Sequence, residues 1–571
     1  MKLESKSQSI VIDNEKKSLT LWDKGTRQRM LIIPDFNLFQ PVIDGHPVEL
    51  EFKSIQEDRE NNSISFFFGS HSEVSDFVLT VSADKADDSI DFSCEFSAGP
   101  GCQINSISFF PKGTVVTAYN LVNFRNRHHT PEVWPELLTG QEIKTDTYSG
   151  DWQFAPHPTL FVFRKLQSHL FFGALDMPKS FGMYLEMKHY KVENWSLDFG
   201  AFPNGQKLDA GGRFRSPKMR LFIRKAKSVY EVIDEFVSML VRSGRIPDPS
   251  AKAVHSWWRE PLYCTWLDQV LRASCVPPEA LQEQVAECMA PTRRVFDEKM
   301  VREAARIIRE EKLPFRTILL DEGWHVARGQ WEAHPARFPD LRGLVDELHA
   351  AGFKVMVWWN WAEIEKTALV NPAHLMAGGR LNRHGCRVRD YSLASTQEEY
   401  LKPLFHKLFS SDKGSYDLDG VKTDFLADKV HPDMSPSDPD WRGEENYFHH
   451  VTRLFYGEMR KYKDDAMHMG CCGNFWLAEF MDTNRTYDVH NSDYLEHETR
   501  GRMLKHTAPG AVVSYDLLST LDNLDKYVAS ARKNDSAIQI GNVLHVQNDW
   551  FSEIRPADKK YYRLLRKLVQ R

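Results

Sequence analysis

Two charged residues, Lys422 and Asp424, stand two positions apart in the segment Gly420–Phe425 (GVKTDF). Alternate residues of a β-strand point to the same side, so a strand here would place the ammonium group and the carboxylate together. A positive charge within about 4–6 Å lowers the pKa of a carboxyl group. An ionised carboxylate can act as the nucleophile in glycosidic bond cleavage. A buried structural ion pair fits these residues equally well.

Acidic and aromatic residues also follow two earlier apolar segments. Asp321 and Glu322 come directly after an apolar run and precede a Gly-Trp pair that contains Trp324, and Trp358 lies in the aromatic stretch KVMVWWNW. Carboxylates can accept hydrogen bonds from sugar hydroxyls, and a Trp ring can pack on the apolar face of a sugar. One of the two acids could instead cap the next helix.

A second carboxylate, Asp493, closes the segment Asp488–Asp493, which we predict to be a strand. Two carboxyl groups on opposite sides of a bound sugar could cleave its linkage with retention at a separation of about 5–5.5 Å, or with inversion at roughly 6.5–9.5 Å. Asp488 and Glu496 are competing acids in the same region.

The first part of the chain predicts a β-sandwich. Short segments with an apolar residue at every second position alternate with turn clusters from about Ser9 to Lys225, which is typical of antiparallel sheets. We predict that a linker follows, formed by an amphipathic helix at about Val229–Val241 and the segment Gly244–Ser250 (GRIPDPS). We therefore predict a β-sandwich over 1–225 and a helical linker over 226–252.

The remainder, 253–571, predicts a (β/α)8 TIM barrel, because short apolar strands alternate there with helices of ten or more residues. In such barrels the active site lies at the carboxyl ends of the strands, where the acids named above are expected. The predicted strands are Leu262–Trp266, Thr317–Asp321, Lys354–Trp359, Gly420–Asp424, Ala466–Cys471, Asp488–Asp493, Val512–Tyr515 and Ala537–Val543.

Composition excludes several classes of protein. The 571 residues include 73 Lys plus Arg against 79 Asp plus Glu, so the chain lacks the basic surplus expected of a nucleic-acid-binding protein. No apolar run reaches the roughly 18–20 residues that cross a bilayer, and Met1–Val11 lacks the apolar core of a secretory signal. We expect a cytoplasmic protein with no membrane partner, and a homo-oligomer is left open.

The cysteines and histidines indicate neither a disulfide framework nor a metal site. None of the 8 cysteines forms a Cys-x-x-Cys pair, and the spacing of His449, His450, His468, Cys471 and Cys472 matches no standard zinc site. We expect reduced thiols, no metal and no cofactor.

The strand ends, taken in order, resemble glycoside hydrolase family 36 and its raffinose synthase relatives in the α-galactosidase clan. Five blocks between Pro261 and Val543 carry the resemblance. They are Leu320–Trp324 (LDEGW), Arg337–Leu341 (RFPDL) with Gly352–Lys354 (GFK), Val357–Trp358 with Glu363 and Asn371–Pro372, Lys422–Asp424 (KTD), and Ser492–Asp493 (SD).

The resemblance implies a role for each matched residue. Asp424 would be the nucleophile that forms a β-linked glycosyl-enzyme, and Asp493 would be the acid that protonates the leaving oxygen and then activates water. The other expected substrate contacts are Asp321, Glu322, Trp324, Trp358, Lys422, Cys471 and Asn491. Glu322 stands where the family has a second Asp, and no counterpart is evident for the arginine that the family carries shortly before its acid/base residue.

These expectations favour a retaining α-glycoside hydrolase that acts on an α-linked oligosaccharide or glycoside, most closely like an α-galactosidase. Two alternatives stay open at this point. The same residues could transfer the sugar to another hydroxyl group, as in raffinose synthases, and a barrel of this kind could also bind carbohydrate without catalysis.

Overall fold

The structure is a computed structural model, and it describes most of the chain. The described residues are 1–69, 75–99, 101–115, 120–123, 132–133, 142–144, 160–165, 168–177, 182–188, 191–198, 206–207, 212–276, 290–377, 386–424, 436–441, 444–470, 474–486, 494–518, 520–549 and 551–569. The chain divides into two compact units, of which the first comprises 1–152, 156–247 and 442–447 and the second comprises 153–155, 248–441 and 448–571.

Two antiparallel sheets make up the first unit, as predicted for a β-sandwich. One sheet contains Lys2–Glu4, Gln8–Asp13, Ser18–Asp23, Gln28–Ile33, Phe39–Ile43, His46–Pro47, Gln103–Phe109, Thr114–Val115, Glu142–Lys144, Gly182–Lys188, Lys191–Asp198 and Gln206–Lys207. The other contains Glu51–Asp58, Ser63–Gly69, Ser75–Asp84, Ser89–Ser97, Asn120–Asn123, Glu132–Val133, Leu160–Lys165, Ser168–Ala174, Arg213–Arg215 and Met219–Lys225.

Phenylalanine rings from both sheets form the core between them. Phe92 of one sheet meets Phe109 of the other with ring centroids 5.1 Å apart, and Phe77 meets Phe39 at 6.3 Å. Along Ser63–Gly69 every second side chain is buried. One face of the sheet is therefore apolar, and it is buried against the partner sheet.

The helix Val229–Arg242 belongs to the first unit, in the region predicted as a linker. Its N-cap Ser228 accepts a hydrogen bond from the backbone N–H of Glu231, and Phe236 packs on Phe171 with centroids 4.5 Å apart. The exact domain boundaries stay a prediction.

A closed parallel barrel of eight strands forms the second unit, which confirms the predicted fold class. The strands are β1 (Leu262–Cys264), β2 (Thr317–Leu320), β3 (Lys354–Trp359), β4 (Gly420–Thr423), β5 (Met467–Gly470), β6 (Thr483–Arg485), β7 (Val512–Tyr515) and β8 (Ala537–Ile540). Strand β8 pairs with β1 and closes the barrel.

Helices and short hairpins connect these strands. The helices of this half of the chain are Trp266–Ser274, Ala290–Arg294, Glu298–Glu310, Leu341–Ala350, Ala394–Thr396, Lys402–Phe409, Glu444–Arg460, Tyr494–Thr507, Leu524–Lys533 and Lys559–Val569, with a π-helical turn at Gln397–Leu401 and 3-10 turns at Pro249–Ala251, Ser256–Arg259, Pro372–His374, Pro439–Trp441 and Ala478–Phe480. The hairpins pair His325–Ala327 with Gln330–Ala333, Glu363–Ile364 with Arg387–Val388, and His545–Val546 with Arg555–Pro556.

The predicted sixth strand was wrong. Strand β6 is Thr483–Arg485, which lies before the predicted segment Asp488–Asp493. All three of its residues are polar and fully buried. Burial of a polar strand is possible only where its side chains are hydrogen-bonded or ion-paired, so hydrophobic periodicity does not reveal it.

Candidate active site

Five charged side chains of alternating sign lie at the carboxyl ends of four barrel strands. Asp321 follows β2, Lys422 and Asp424 belong to the end of β4, Arg485 ends β6, and Asp516 follows β7. Lys422 Nζ lies 2.8 Å from Asp321, and Arg485 lies 2.5 Å from Asp424 and 2.6 Å from Asp516. All five residues are buried. The barrel therefore concentrates two cations and three carboxylates at one edge.

Asp424 is held at both carboxylate oxygens. Arg485 donates from Nη2 to Oδ1 at 2.5 Å, and Trp358 donates from Nε1 to Oδ2 at 3.0 Å. Burial alone would raise the pKa of Asp424, but the charges of Arg485 and Lys422 and the hydrogen bonds outweigh it and lower the pKa to about 2. The carboxylate is therefore ionised throughout the neutral range.

Lys422 forms its ion pair with Asp321 rather than with Asp424. Asp321 Oδ2 accepts from Lys422 at 2.8 Å and from the Cys264 thiol at 3.2 Å, while Oδ1 accepts from the backbone N–H of Glu322 at 2.8 Å. Burial raises the pKa of the Cys264 thiol well above its usual value, so the thiol keeps its proton and acts as a donor. Lys422 affects Asp424 through space, and the predicted direct pairing of these two residues is replaced by two separate pairs.

Glu322 belongs to a buried cluster of ion pairs next to this site. Arg328 donates from Nε to Oε1 at 2.8 Å and from Nη2 to Oε2 at 2.9 Å, and Arg293 also donates to Oε1. Arg328 also donates to Glu363 at 2.5 Å, and Arg293 also donates to Glu365 at 2.6 Å. Burial opposes ionisation of Glu322, but the two guanidinium groups lower its pKa. Both of its oxygens already accept hydrogen bonds from arginine.

Trp324 and Trp358 are both buried, with exposed fractions of 0% and 1%. Trp324 donates from Nε1 to the carbonyl oxygen of Trp358 at 2.9 Å. The His325 ring stacks on Trp358 with centroids 5.8 Å apart and an angle of 11°, and Arg328 Cζ lies 5.4 Å from the Trp358 centroid. Protein groups thus contact the ring of Trp358, and its N–H points to Asp424.

Three of the predicted site residues, Cys471, Asn491 and Asp493, lie outside the described residues, as does Cys472. In sequence, Asp493 directly precedes the helix Tyr494–Thr507. The distance between Asp424 and Asp493 stays a prediction.

The sequence pattern did not single out Arg485 or Asp516. Arg485 lies in a polar strand, so apolar periodicity does not mark it. Its position shortly before Asp493, where the resemblance calls for an arginine, is the signal that could have found it. Asp516 did carry a signal, because it is an acid that directly follows the apolar strand Val512–Tyr515. The rule that selected Asp321 would also have selected Asp516.

Among the described residues, one group has the spacing of possible metal ligands: Asp346, His349 and Asp417. Asp417 lies just before β4, at the end of the barrel opposite to Asp424. Its carboxylate is 2.8 Å from Lys463 Nζ, so a lysine already neutralises it. His468 is engaged through both ring nitrogens, with the Thr423 hydroxyl at 2.8 Å and the Phe480 carbonyl.

Comparison with known proteins shows which family of enzymes the barrel sequence is similar to. Residues 285–499 match the profile of the glycosyl hydrolases family 31 TIM-barrel domain. This match covers most of the barrel strands and is the family likeness of this part of the chain. A comparison with curated protein sequences found no match.

Three solved structures have a similar fold. The family 36 α-galactosidase AgaA from Geobacillus stearothermophilus superposes with a TM-score of 0.58 at 13% identity, covering 100% of this chain and 85% of that chain. The α-N-acetylgalactosaminidase NagBb from Bifidobacterium bifidum, in complex with GalNAc, gives a TM-score of 0.64 at 12% identity and covers 100% and 92%. The α-galactosidase from Lactobacillus brevis gives 0.53 at 13% identity, covering 100% and 82%.

The resemblance to family 36 is therefore matched by the fold, whereas the sequence profile that matches is that of family 31. Both comparisons find glycoside hydrolases. Variants of AgaA are known in complex with raffinose and with stachyose. Within the part of the chain that the structure describes, no helix has the length and apolar character needed to cross a membrane.

Proposed function

We propose that this protein is a retaining α-glycoside hydrolase of the α-galactosidase type, with Asp424 as nucleophile and Asp493 as acid/base. The observation that carries the proposal is the state of Asp424: a buried, ionised carboxylate at the carboxyl end of a barrel strand, held by Arg485 and Trp358. Each carboxylate oxygen has a second lone pair, so a held oxygen can still attack an anomeric carbon.

In the first step, Asp424 bonds to the anomeric carbon while the bond to the leaving oxygen breaks and Asp493 protonates that oxygen. In the second step, Asp493 accepts a proton from water, and the water oxygen displaces Asp424. Two inversions at one carbon leave an α-configured product.

The ion pairs around Asp424 suit this change of charge. When Asp424 becomes an ester it loses its negative charge, and a buried cation without a counter-ion would be costly. Arg485 keeps a second carboxylate, Asp516, at 2.6 Å. The guanidinium group therefore stays neutralised in the glycosyl-enzyme.

Substrate hydroxyls are assigned to Asp321 and Lys422, which lie beside Asp424 on the same edge of the barrel. Cys471 and Asn491 complete the proposed substrate contacts. Trp324 and Trp358, with exposed fractions of 0% and 1%, are assigned no contact with the substrate. The AgaA variants bound to raffinose and stachyose support α-linked galactosides as the first substrates to test.

The test is hydrolysis of 4-nitrophenyl α-galactoside, α-N-acetylgalactosaminide and α-glucoside by the full chain. Asp424→Asn should abolish turnover, whereas Asp346→Asn, which removes a surface carboxylate paired with Arg342, should leave it unchanged. Asp424→Gly with added azide should release 4-nitrophenol and form a β-glycosyl azide, because azide attacks from the side that the nucleophile vacates.

Full activity of Asp424→Asn would overturn the assignment of the nucleophile, and a first-formed β-sugar product would overturn retention. Product analysis in the presence of a sugar acceptor separates hydrolysis from the raffinose synthase type of transfer.

A further inference from the structure

Trp358 connects the proposed nucleophile with the buried Glu322 cluster. Its indole N–H donates to Asp424 at 3.0 Å. An indole ring is rigid, and a hydrogen bond weakens steeply as its angle departs from linear, so the position of the ring decides the strength of this bond. The groups that hold the ring therefore act on the carboxylate.

Arg328 contacts that ring, with Cζ 5.4 Å from the ring centroid. A guanidinium within about 6 Å of a Trp centroid is attracted to the ring face, more strongly where water is excluded. Arg328 is 4% exposed and Trp358 is 1% exposed, so this contact is shielded from water.

Glu322 in turn holds Arg328. The two side chains form a bidentate pair at 2.8 and 2.9 Å, and Glu363 binds the third nitrogen of the guanidinium at 2.5 Å. A bidentate pair fixes the plane of a guanidinium as well as its position. Family 36 has Asp at the position of Glu322. The side chain of Glu322 is one methylene longer and reaches Arg328.

His325 contacts Trp358 as a neutral ring. Burial and the nearby Arg293 and Arg328 keep the pKa of His325 well below its usual range. Its ring plane lies at 11° to that of Trp358. Within the described residues neither ring nitrogen of His325 has a hydrogen-bond partner, so the imidazole contributes a flat packing surface.

We infer that Glu322 and Arg328 are positioning residues for the nucleophile: Glu322 holds Arg328 against Trp358, and Trp358 thereby keeps its N–H on Asp424. The inference rests on the proposed role of Asp424 in glycoside hydrolysis. It gives Glu322 a role other than the hydroxyl binding that the family resemblance implies.

A double-mutant cycle on the full chain tests the coupling. Trp358→Phe and Arg328→Met should each lower kcat by about tenfold to a hundredfold, the size expected for a hydrogen bond to a charged group, with KM changed less than about twofold. In the double variant the loss should stay within about twofold of the larger single loss. Losses that multiply would overturn the inference.

Two further variants separate positioning from other roles. Glu322→Gln should lower kcat in the wild-type background and have no further effect in Trp358→Phe. An increase in KM of equal size in both backgrounds would identify Glu322 as a substrate ligand and overturn the inference. Arg302→Met, which removes an arginine paired with Glu298 and Glu347 elsewhere on the barrel, is the control and should leave kcat unchanged.

The indole N–H resonance of Trp358 gives a readout that does not depend on turnover. It is assigned as the resonance that disappears in Trp358→Phe, and it should move in Asp424→Asn, Arg328→Met and Glu322→Gln but not in Arg302→Met. If Arg328→Met does not fold, Arg328→Lys replaces it, because lysine keeps the charge but loses the bidentate fork. An unmoved resonance in the folded arginine variant overturns the inference, whereas absence of hydrolysis with a resonance that moves overturns only the proposed function.

Discussion

Replacing Arg485 with methionine tests whether its guanidinium keeps Asp424 ionised. Arg485 is fully buried and binds Asp424 at 2.5 Å and Asp516 at 2.6 Å. Methionine is apolar and flexible enough to fill most of the space, so the main change is the loss of one positive charge between two buried carboxylates.

The expected size follows from the pKa of Asp424, which burial would raise and which Arg485 and then Lys422 lower from its usual 3.8 to about 2. Each tenfold change in an ionisation constant corresponds to about 1.4 kcal/mol, so the folded environment favours the ionised carboxylate by roughly 2–3 kcal/mol. Burial is the largest influence on this pKa and Arg485 is the largest one that opposes it, so the pKa of Asp424 should rise when Arg485 is removed. A return of the pKa to its usual 3.8 would lower the ionisation constant about 60-fold.

The assay is kcat/KM for an aryl α-glycoside between about pH 3 and pH 8, because its acid limb reports ionisation in the free enzyme. In Arg485→Met this limb should move to higher pH. Loss of a buried ion-pair partner should also lower the free energy of unfolding by about 3–5 kcal/mol, which urea denaturation at neutral pH measures. Arg302→Met, at a partly exposed arginine, should leave the acid limb at the wild-type pH and should change the free energy of unfolding by no more than about 1 kcal/mol.

An acid limb at the same pH in Arg485→Met and the wild type would refute the reasoning. It would mean that Lys422 and the hydrogen bond from Trp358 suffice to keep Asp424 ionised.

Three other outcomes are expected. Because the pKa of Asp424 is lowered in the folded protein, its ionisation stabilises the fold above pH 3.8, and about 2 kcal/mol of unfolding free energy should be lost as the pH falls to about 2. Asp424→Asn should lack this part of the acid decline, and equal declines in the variant and the wild type would contradict the lowered pKa. Asp493→Ala should lose about 10²- to 10⁴-fold in kcat on substrates with poor leaving groups and much less on nitrophenyl glycosides, so equal losses on both would exclude it as the acid. Phe92→Ala, at a ring buried between the two sheets, should cost about 3–5 kcal/mol in thermal or urea unfolding, and a cost below about 1 kcal/mol would contradict its place in the core.

Local sequence patterns are enough to predict both folds and three of the five charged residues of the candidate site. Period-two apolar patterns predict the antiparallel sheets, and seven of the eight barrel strands were located because their apolar residues stand out from the helices around them. Lys422, Asp424 and Asp321 were found by the same logic, since each lies in or directly after such a strand. Periodicity is a local property, so local reading suffices for these features.

The pairing of the charged side chains depends on the three-dimensional fold. Lys422 pairs with Asp321, 101 residues away in the chain, and Asp424 pairs with Arg485, 61 residues away. Lys422 and Asp424 are only two positions apart in sequence, yet each pairs with a different charged side chain. Barrel closure brings these strand ends together, and a buried charge takes whichever partner that closure presents. For the same reason Arg485, in a polar strand without periodicity, becomes visible only once the barrel surrounds it.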